Sequence, residues 1–264
     1  VQGPGGRHYV WPERKPHELY VPSVTTILGR GIPKEALAPW NAKMVATFAV
    51  EHKDEWIGLP DEAAIDMLKR SPYRTTDRSA RAGTIVHNAV EMYASGIEHS
   101  IPKDKGLANQ YKGTLAFLKD FNVKVKFTEF TCFSREHEYA GTSDVLGGVT
   151  LPASLGLKPR KRTAIIDYKT GKRIYDEHPI QLNAYAFADF FAISGDTNEH
   201  PMPAIDALIV VRPKKRGGYE AKVYEPSQEL HDLFLAAKVV AQRGEVLEHA
   251  AIGRVLTGPD EGVE

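Results

Sequence analysis

The chain has 264 residues, with 34 basic side chains against 34 acidic ones, 42% hydrophobic and 26% charged residues, and a single cysteine. That apolar content, with ordinary glycine and proline numbers, describes a globular chain able to bury a core and excludes collagen-like and wholly disordered chains. A balanced charge and a pI near 7.3 exclude a protein that coats nucleic acid with its whole surface, while leaving room for local basic patches.

The most apolar stretch, residues 185–193, contains Asp189 and is far shorter than the roughly 20 apolar residues of a membrane-spanning helix, so no membrane association is expected. Residues 1–6 have neither the basic head nor the apolar core of a secretory signal. Cys132 alone can form neither an intrachain disulfide nor a four-thiolate metal or iron–sulfur site. A reducing cytoplasm is the expected compartment.

In chain order, residues 1–22 mix Gly, Pro, His and aromatics without a period and read as an irregular lead-in. Ser23, Thr25 or Thr26 is placed to cap a helix begun by Ile27 and Leu28, which Gly29, Gly31 and Pro33 interrupt. Helical patterning resumes over 34–55 and 61–69. Residues 80–95 then carry Ile85, Val86, Ala89, Val90 and Tyr93 as an apolar stripe, and 109–121 suits another helix. Beyond residue 122 the period changes: Val123, Val125 and Phe127 alternate with Lys124, Lys126 and Thr128, predicting a strand through Phe133. Further strands are predicted over 137–149, 163–169, 204–211 and 219–224. Residues 179–193 are too long and regular for a loop and read as a helix with Pro179 in its first turn; residues 230–251 read as a last helix. Helices first, then strands enclosing a helix, predict one α+β domain with a central mixed β-sheet flanked by helices. Its parts are the lead-in (1–22), an N-terminal helical elaboration (23–121), an α/β core (122–225) and a C-terminal helix and tail (226–264).

Several familiar motifs fail. Gly29 and Gly31 start a dinucleotide fingerprint that Pro33 and Lys34 break, Gly171-Lys172 is followed by Arg173 rather than Ser or Thr, and no His-Glu-x-x-His exists. Cys132 lies inside a predicted strand, where a thiol packs rather than reacts. What remains is an acid-and-lysine set. Strand alternation puts Asp167 and Lys169 on one face and Ile166 and Tyr168 on the other. Gly141-Thr142-Ser143-Asp144 puts another carboxylate on the preceding strand, which would pair antiparallel with the first. Two convergent carboxylates are the hard oxygen ligands that Mg²⁺ or Mn²⁺ prefers, with the Tyr168 carbonyl as a third donor; the same residues also suit a structural ion pair at a strand end. His87 and Glu91 are four apart on one helix face, placed either to extend a metal site or to form a surface pair. Gln181 and Tyr185 share that spacing, which an ordinary helix face with a core tyrosine also shows. From 158 to 173, Lys158, Arg160, Lys161, Arg162, Lys169, Lys172 and Arg173 face Asp167 alone, an excess that fits either a solvated loop or phosphate contacts.

Taken together, Gly83-Thr84-x-x-His87-x-x-x-Glu91, Gly141-Thr142-x-Asp144, Asp167-Tyr168-Lys169-Thr170-Gly171 and Gln181-x-x-x-Tyr185 resemble, in order, the motifs of the PD-(D/E)xK nuclease superfamily, and within it the RecB-like exonucleases of phage recombination and mitochondrial genome maintenance. Pro22-Ser23-Val24-Thr25-Thr26-Ile27-Leu28 looks like the lead-in of phage members. The resemblance implies a restriction-endonuclease-like core and a metal-dependent deoxyribonuclease, an exonuclease of DNA recombination, repair or replication in a bacterial or phage-infected cytoplasm. An endonuclease of the same fold and a non-catalytic DNA-binding subunit are the alternatives. It implies one or two Mg²⁺ or Mn²⁺ ions on His87, Asp144, Asp167 and the Tyr168 carbonyl, with Glu91 supporting His87 or a second ion. Lys169 would act on the attacking water or the transition state, and Gln181 and Tyr185 would position the site. Arg81, Thr84, Lys172, Arg173, Arg160, Lys161 and Arg162 would contact DNA, single-stranded or end-containing duplex, and a recombination or single-strand-binding protein would be a further partner. The helices over 23–121 would cover the site. The single cysteine implies a branch without an iron–sulfur cluster.

Overall fold

Strand-forming segments, some alternating and some continuously apolar, form the centre of the protein, and those with a helical period cover both of its faces. The computed structural model describes residues 2–3, 6–10, 20–97, 100–152, 161–196 and 198–244. The elements are β1 (Gln2–Gly3), β2 (Gly6–Val10), β3 (Tyr20–Pro22), α1 (Val24–Gly31), α2 (Leu37–Glu51), α3 (Lys53–Trp56), α4 (Asp61–Ser95), α5 (Lys105–Asp120), β4 (Lys124–Ser134), β5 (Tyr139–Thr150), β6 (Lys161–Tyr168), α6 (Glu177–Ala186), β7 (Phe190–Ala192), β8 (His200–Pro201), β9 (Ala207–Pro213), β10 (Tyr219–Tyr224) and α7 (Gln228–Ala241). The main sheet has seven strands in the order β10-β9-β6-β5-β4-β7-β8. β6 and β9 are parallel and the other neighbours antiparallel, so the fold is α+β on a mixed sheet.

Successive residues of β6 and β9 feed two cores. Ile165, Leu208 and Val210 pack with Val24, Leu182, Tyr185 and Phe234 beneath α1, α6 and α7. Ile166, Ile209 and Val211 pack with Val86, Val90, Phe117 and Leu118 beneath α4 and α5. Burial on both faces explains why these parallel strands read as unbroken apolar runs rather than alternating ones. Each such side chain contributes roughly 1.5–3 kcal/mol. Two glycines permit close approaches that matter for the site: a Cβ at Gly31 would stand 2.0 Å from the Ala237 carbonyl oxygen of α7, and one at Gly141 would stand 2.4 Å from Cε1 of Tyr185. Of the three candidate caps for α1, Ser23 fills the role, its Oγ accepting from the Thr26 N–H at 3.0 Å.

The structure departs from the sequence expectations in four places. The last helix, expected over 230–251, ends at Ala241, and residues 245–251 lie outside the described residues. Residues 1–22 are not wholly irregular: β1, β2 and β3 form a small antiparallel sheet, with Val21 buried against Phe133 and Ala140. Residues 61–69 and 80–95 belong to one 35-residue helix that runs through Pro72 and ends at Gly96, whose φ of 67° makes the left-handed cap. The predicted helix over 179–193 stops at Ala186, and Phe190–Ala192 instead extend the sheet beside β4, with Phe190 and Phe191 buried in different clusters as strand alternation requires. No helix among the described residues is long and apolar enough to cross a membrane.

Candidate metal and acid–lysine site

The site forms where β5 and β6 separate. Their ladder is paired from Thr150↔Lys161 to Val145↔Ile166. Beyond it the Tyr168 N–H donates to Asp144 Oδ2 at 2.7 Å, so a carboxylate takes the place of a strand partner. The Lys169 N–H donates to the Val211 carbonyl at 2.8 Å, which ties the lysine to the end of the parallel strand β9. Asp167 and Lys169 share a face, as the alternation predicts, with Nζ 2.7 Å from Oδ2. That contact is a buried ion pair, and the lysine's hydrogen bond to the carboxylate supports its charge. The ammonium also donates to Gln181 Oε1 at 3.1 Å, and Gln181 Nε2 donates to the Tyr185 hydroxyl at 2.7 Å. The pair spaced four apart on α6 therefore faces the Asp-x-Lys strand, and Gly141 makes room for the Tyr185 ring.

Helix α4 closes the other side. His87 Nε2 lies 3.5 Å from Asp144 Oδ1, and His87 Nδ1 is hydrogen-bonded to Glu129 Oε1. His87, Glu129 and Asp144 each present a ligand atom within 4.8 Å of the others. Glu129 stands opposite Asp144 between the pairs Thr128↔Val145 and Phe130↔Ser143. Its φ of 50° is left-handed, a conformation that costs a non-glycine residue roughly 1–3 kcal/mol and clusters at functional sites. Sequence reasoning missed this residue. The signal lay in the hairpin: with Ser134 paired to Tyr139, counting back five residues on each side sets Glu129 against Asp144.

Charge crowding shifts the protonation of these groups. Burial, and then the neighbouring Asp167 carboxylate, push the Asp144 carboxyl up to about 7, against the pull of His87, the Tyr168 N–H and Lys169. The hydrogen bond to Glu129 raises His87 to about 9, with burial opposing it and the charges of Asp144, Glu129 and Asp167 adding to it. Burial works against the Lys169 ammonium, but the charges of Asp167, Asp144 and Glu177 outweigh it and hold the lysine above its ordinary value. His178, in the first turn of α6, is pushed down to about 4 by burial and by Lys169, and its Nδ1 accepts from the Tyr175 N–H at 3.2 Å, so this imidazole is neutral. It is a second residue that the sequence motifs did not mark.

The remaining expected residues fall into three groups. Glu91 is exposed and stays outside the cluster, in which Glu129 stands instead. Arg81 and Thr84 are exposed on α4 ahead of His87, and Lys172 and Arg173 are exposed just after Lys169, the Arg173 guanidinium lying 4.7 Å from the Tyr175 ring centroid. The 158–173 charge run does not form one patch, because β6 divides it. Lys161 and Arg162 begin that strand, roughly 20 and 16 Å from Asp167 at 3.3 Å per residue. Lys161 is exposed, but Arg162 is buried and its Nε has no hydrogen-bond partner among the described residues, which removes it from any DNA-facing surface. Arg160 lies outside the described residues. The Tyr168 ring is buried in the core beneath α4 and α5, leaving only its backbone toward Asp144.

No protein-family model matches the chain, and no curated protein is significantly similar to it.

Proposed function

We propose that the protein is a divalent-metal-dependent hydrolase of DNA phosphodiesters, an exonuclease of the PD-(D/E)xK type working in the cytoplasm. The observation that carries this reading is that His87, Glu129 and Asp144 close into a set of possible ligands beside the Asp167–Lys169 ion pair, which lies outside that set but whose charges are felt at Asp144. The donor set suits Mg²⁺ or Mn²⁺, being carboxylate oxygens with one imidazole. Its present state also suits a cation: burial and the neighbouring Asp167 carboxylate drive Asp144 toward protonation. His87, Asp144, Asp167 and the Tyr168 carbonyl would hold the ion. Glu129 is better placed to join them than Glu91.

A bound divalent ion supplies an acidified water and neutralises charge on phosphoryl oxygens. The chain's own residues do the rest. Lys169 stays protonated through neutral pH and acts as a fixed cation rather than a base, favouring the charge that develops on the phosphoryl group. Gln181 and Tyr185 fix the direction of its ammonium, and burial keeps the Tyr185 hydroxyl neutral. Thr84 one turn before His87, Lys172 and Arg173 just after Lys169, and Arg81 further back along α4 are all exposed and would contact backbone phosphates, which gives affinity without sequence specificity. The test is digestion of end-labelled linear and closed circular DNA, single- and double-stranded, with Mg²⁺, Mn²⁺ or chelator. Short end products from linear DNA and intact circles are expected. Undiminished cleavage in excess chelator after metal stripping would refute metal dependence, and rapid cutting of circles would make the enzyme an endonuclease.

A further inference from the structure

The glycine-rich break after α1 builds a second basic feature that the acid–lysine centre does not use. Because Gly31 lies without a side chain against Ala237, α1 ends close to α7, and the chain turns through Pro33 into α2. A cleft of about 540 Å³ opens there, in which Arg30, Lys34 and Arg243 stand around Ile32, Leu37 and Val240. Among the described residues no acidic side chain lines it, although Glu35 adjoins Lys34 in sequence, and the first turn of α2 carries no acid. Among the described residues, none of the three cations is ion-paired to a carboxylate; Arg243 donates to the Val240 carbonyl at 3.0 Å, along the cleft wall. All three are exposed.

The cleft and the centre share a neighbour in α6: α1 packs on that helix, whose Gln181 holds Lys169, and the charge of Lys34 is felt at His178 together with that of Lys169. We infer that this cleft binds a single DNA strand running to or from the acid–lysine centre, its phosphates against Arg30, Lys34 and Arg243 and a sugar or base against Ile32, Leu37 and Val240. The inference rests on the hydrolase reading above. A nucleic-acid strand matches both halves of the cleft, cations for phosphates and apolar surface for unstacked nucleotides. An acidic protein would meet the charges, but nothing would place it beside a phosphate-processing centre already flanked by Lys172 and Arg173.

The experiment is fluorescence anisotropy of a labelled 12-nucleotide single strand with the full chain in chelator, where no turnover occurs, over a range of salt. In R30A/K34A/R243A the affinity should fall about tenfold at moderate salt. The log–log salt slope should shrink by about 2, since three phosphate contacts on a single strand contribute about 0.7 each. The charge-retaining pair R30K/R243K should keep the wild-type slope, and thermal unfolding checks that the variants fold. Unchanged affinity and slope in the triple variant would overturn the inference. So would loss of binding to a labelled polyglutamate probe while DNA binding stays intact, which would make the cleft a protein-docking site. A wild type that binds the strand but never cuts DNA with Mg²⁺ or Mn²⁺ would refute the hydrolase reading while leaving the cleft result standing. Failure of the wild type to bind the strand at all would overturn the inference, and cleavage of duplex ends with Mg²⁺ or Mn²⁺ would then decide the hydrolase reading separately.

Discussion

Replacing Asp144 by Asn should stabilise the metal-free protein at pH 8 and leave its stability nearly unchanged at pH 4. The Asp144 carboxyl is raised from 3.8 to about 7, first by burial and then by Asp167. Its folded-state pKa lies above the unfolded one, so the folded chain holds the proton more tightly. Stability is therefore lost as pH climbs from about 4 to about 7, and the loss is complete above that. A shift of about three units corresponds to about 4 kcal/mol as an upper bound. Asn removes this cost, because its amide oxygen can still accept the Tyr168 N–H now taken by Oδ2. Protonated His87 loses a favourable charge in exchange but keeps its hydrogen bond to Glu129. Taking half the bound as the net gain leaves about 2 kcal/mol, or roughly 4–8 °C in Tm for a chain of this size. Thermal unfolding in chelator at pH 4, 5, 6, 7 and 8 gives the answer. A variant that melts below wild type at pH 8, or a gap that does not grow with pH, would refute the crowding argument.

Three other outcomes follow from the same geometry. Lys169→Ala should slow the single-turnover chemical step by about 10²-fold or more while changing DNA affinity little, because one ammonium among many cations acts mainly where transition-state charge develops; an unchanged single-turnover rate would remove it from the mechanism. Glu129→Gln should weaken Mn²⁺ binding about tenfold in calorimetric titration, whereas Glu91→Gln should leave it within about twofold, and the reverse order would restore Glu91 to the ligand set. Metal affinity should rise with pH up to about 9, because Asp144 near 7 and His87 near 9 must both lose a proton before they can ligate; affinity flat between pH 6 and 9 would count against that ligand pair.

Much of the site was legible because it follows strict local periods. Alternation alone put Asp167 and Lys169 together, and the helical spacing of Gln181 and Tyr185 put both on the face that meets Lys169. Glu129 was not legible, since its role depends on pairing register and on a left-handed backbone that no strand pattern announces. Arg162 misled for a related reason: a run of like charges suggests a solvated loop, but two of those residues start a central strand, and one of them points inward. The same limit holds for the fold. The five longer strands of the main sheet carry their own pattern, whereas β2, β3 and β7 are short segments whose strand character comes from the neighbours they pair with.

The central claim, that the cluster around Asp167 is a metal-dependent centre for phosphodiester hydrolysis, is tested most directly by single-turnover cleavage of linear DNA as Mn²⁺ is varied, in the wild type and in Asp167→Asn. The substitution removes a ligand charge at nearly constant shape from a residue only 2% exposed. Saturable activation of the wild type is expected, with a midpoint matching that of Mn²⁺ binding on the same samples, and no cleavage by the variant at any metal concentration although it remains folded. Cleavage by both proteins at equal rates, or by the wild type without metal, would contradict it.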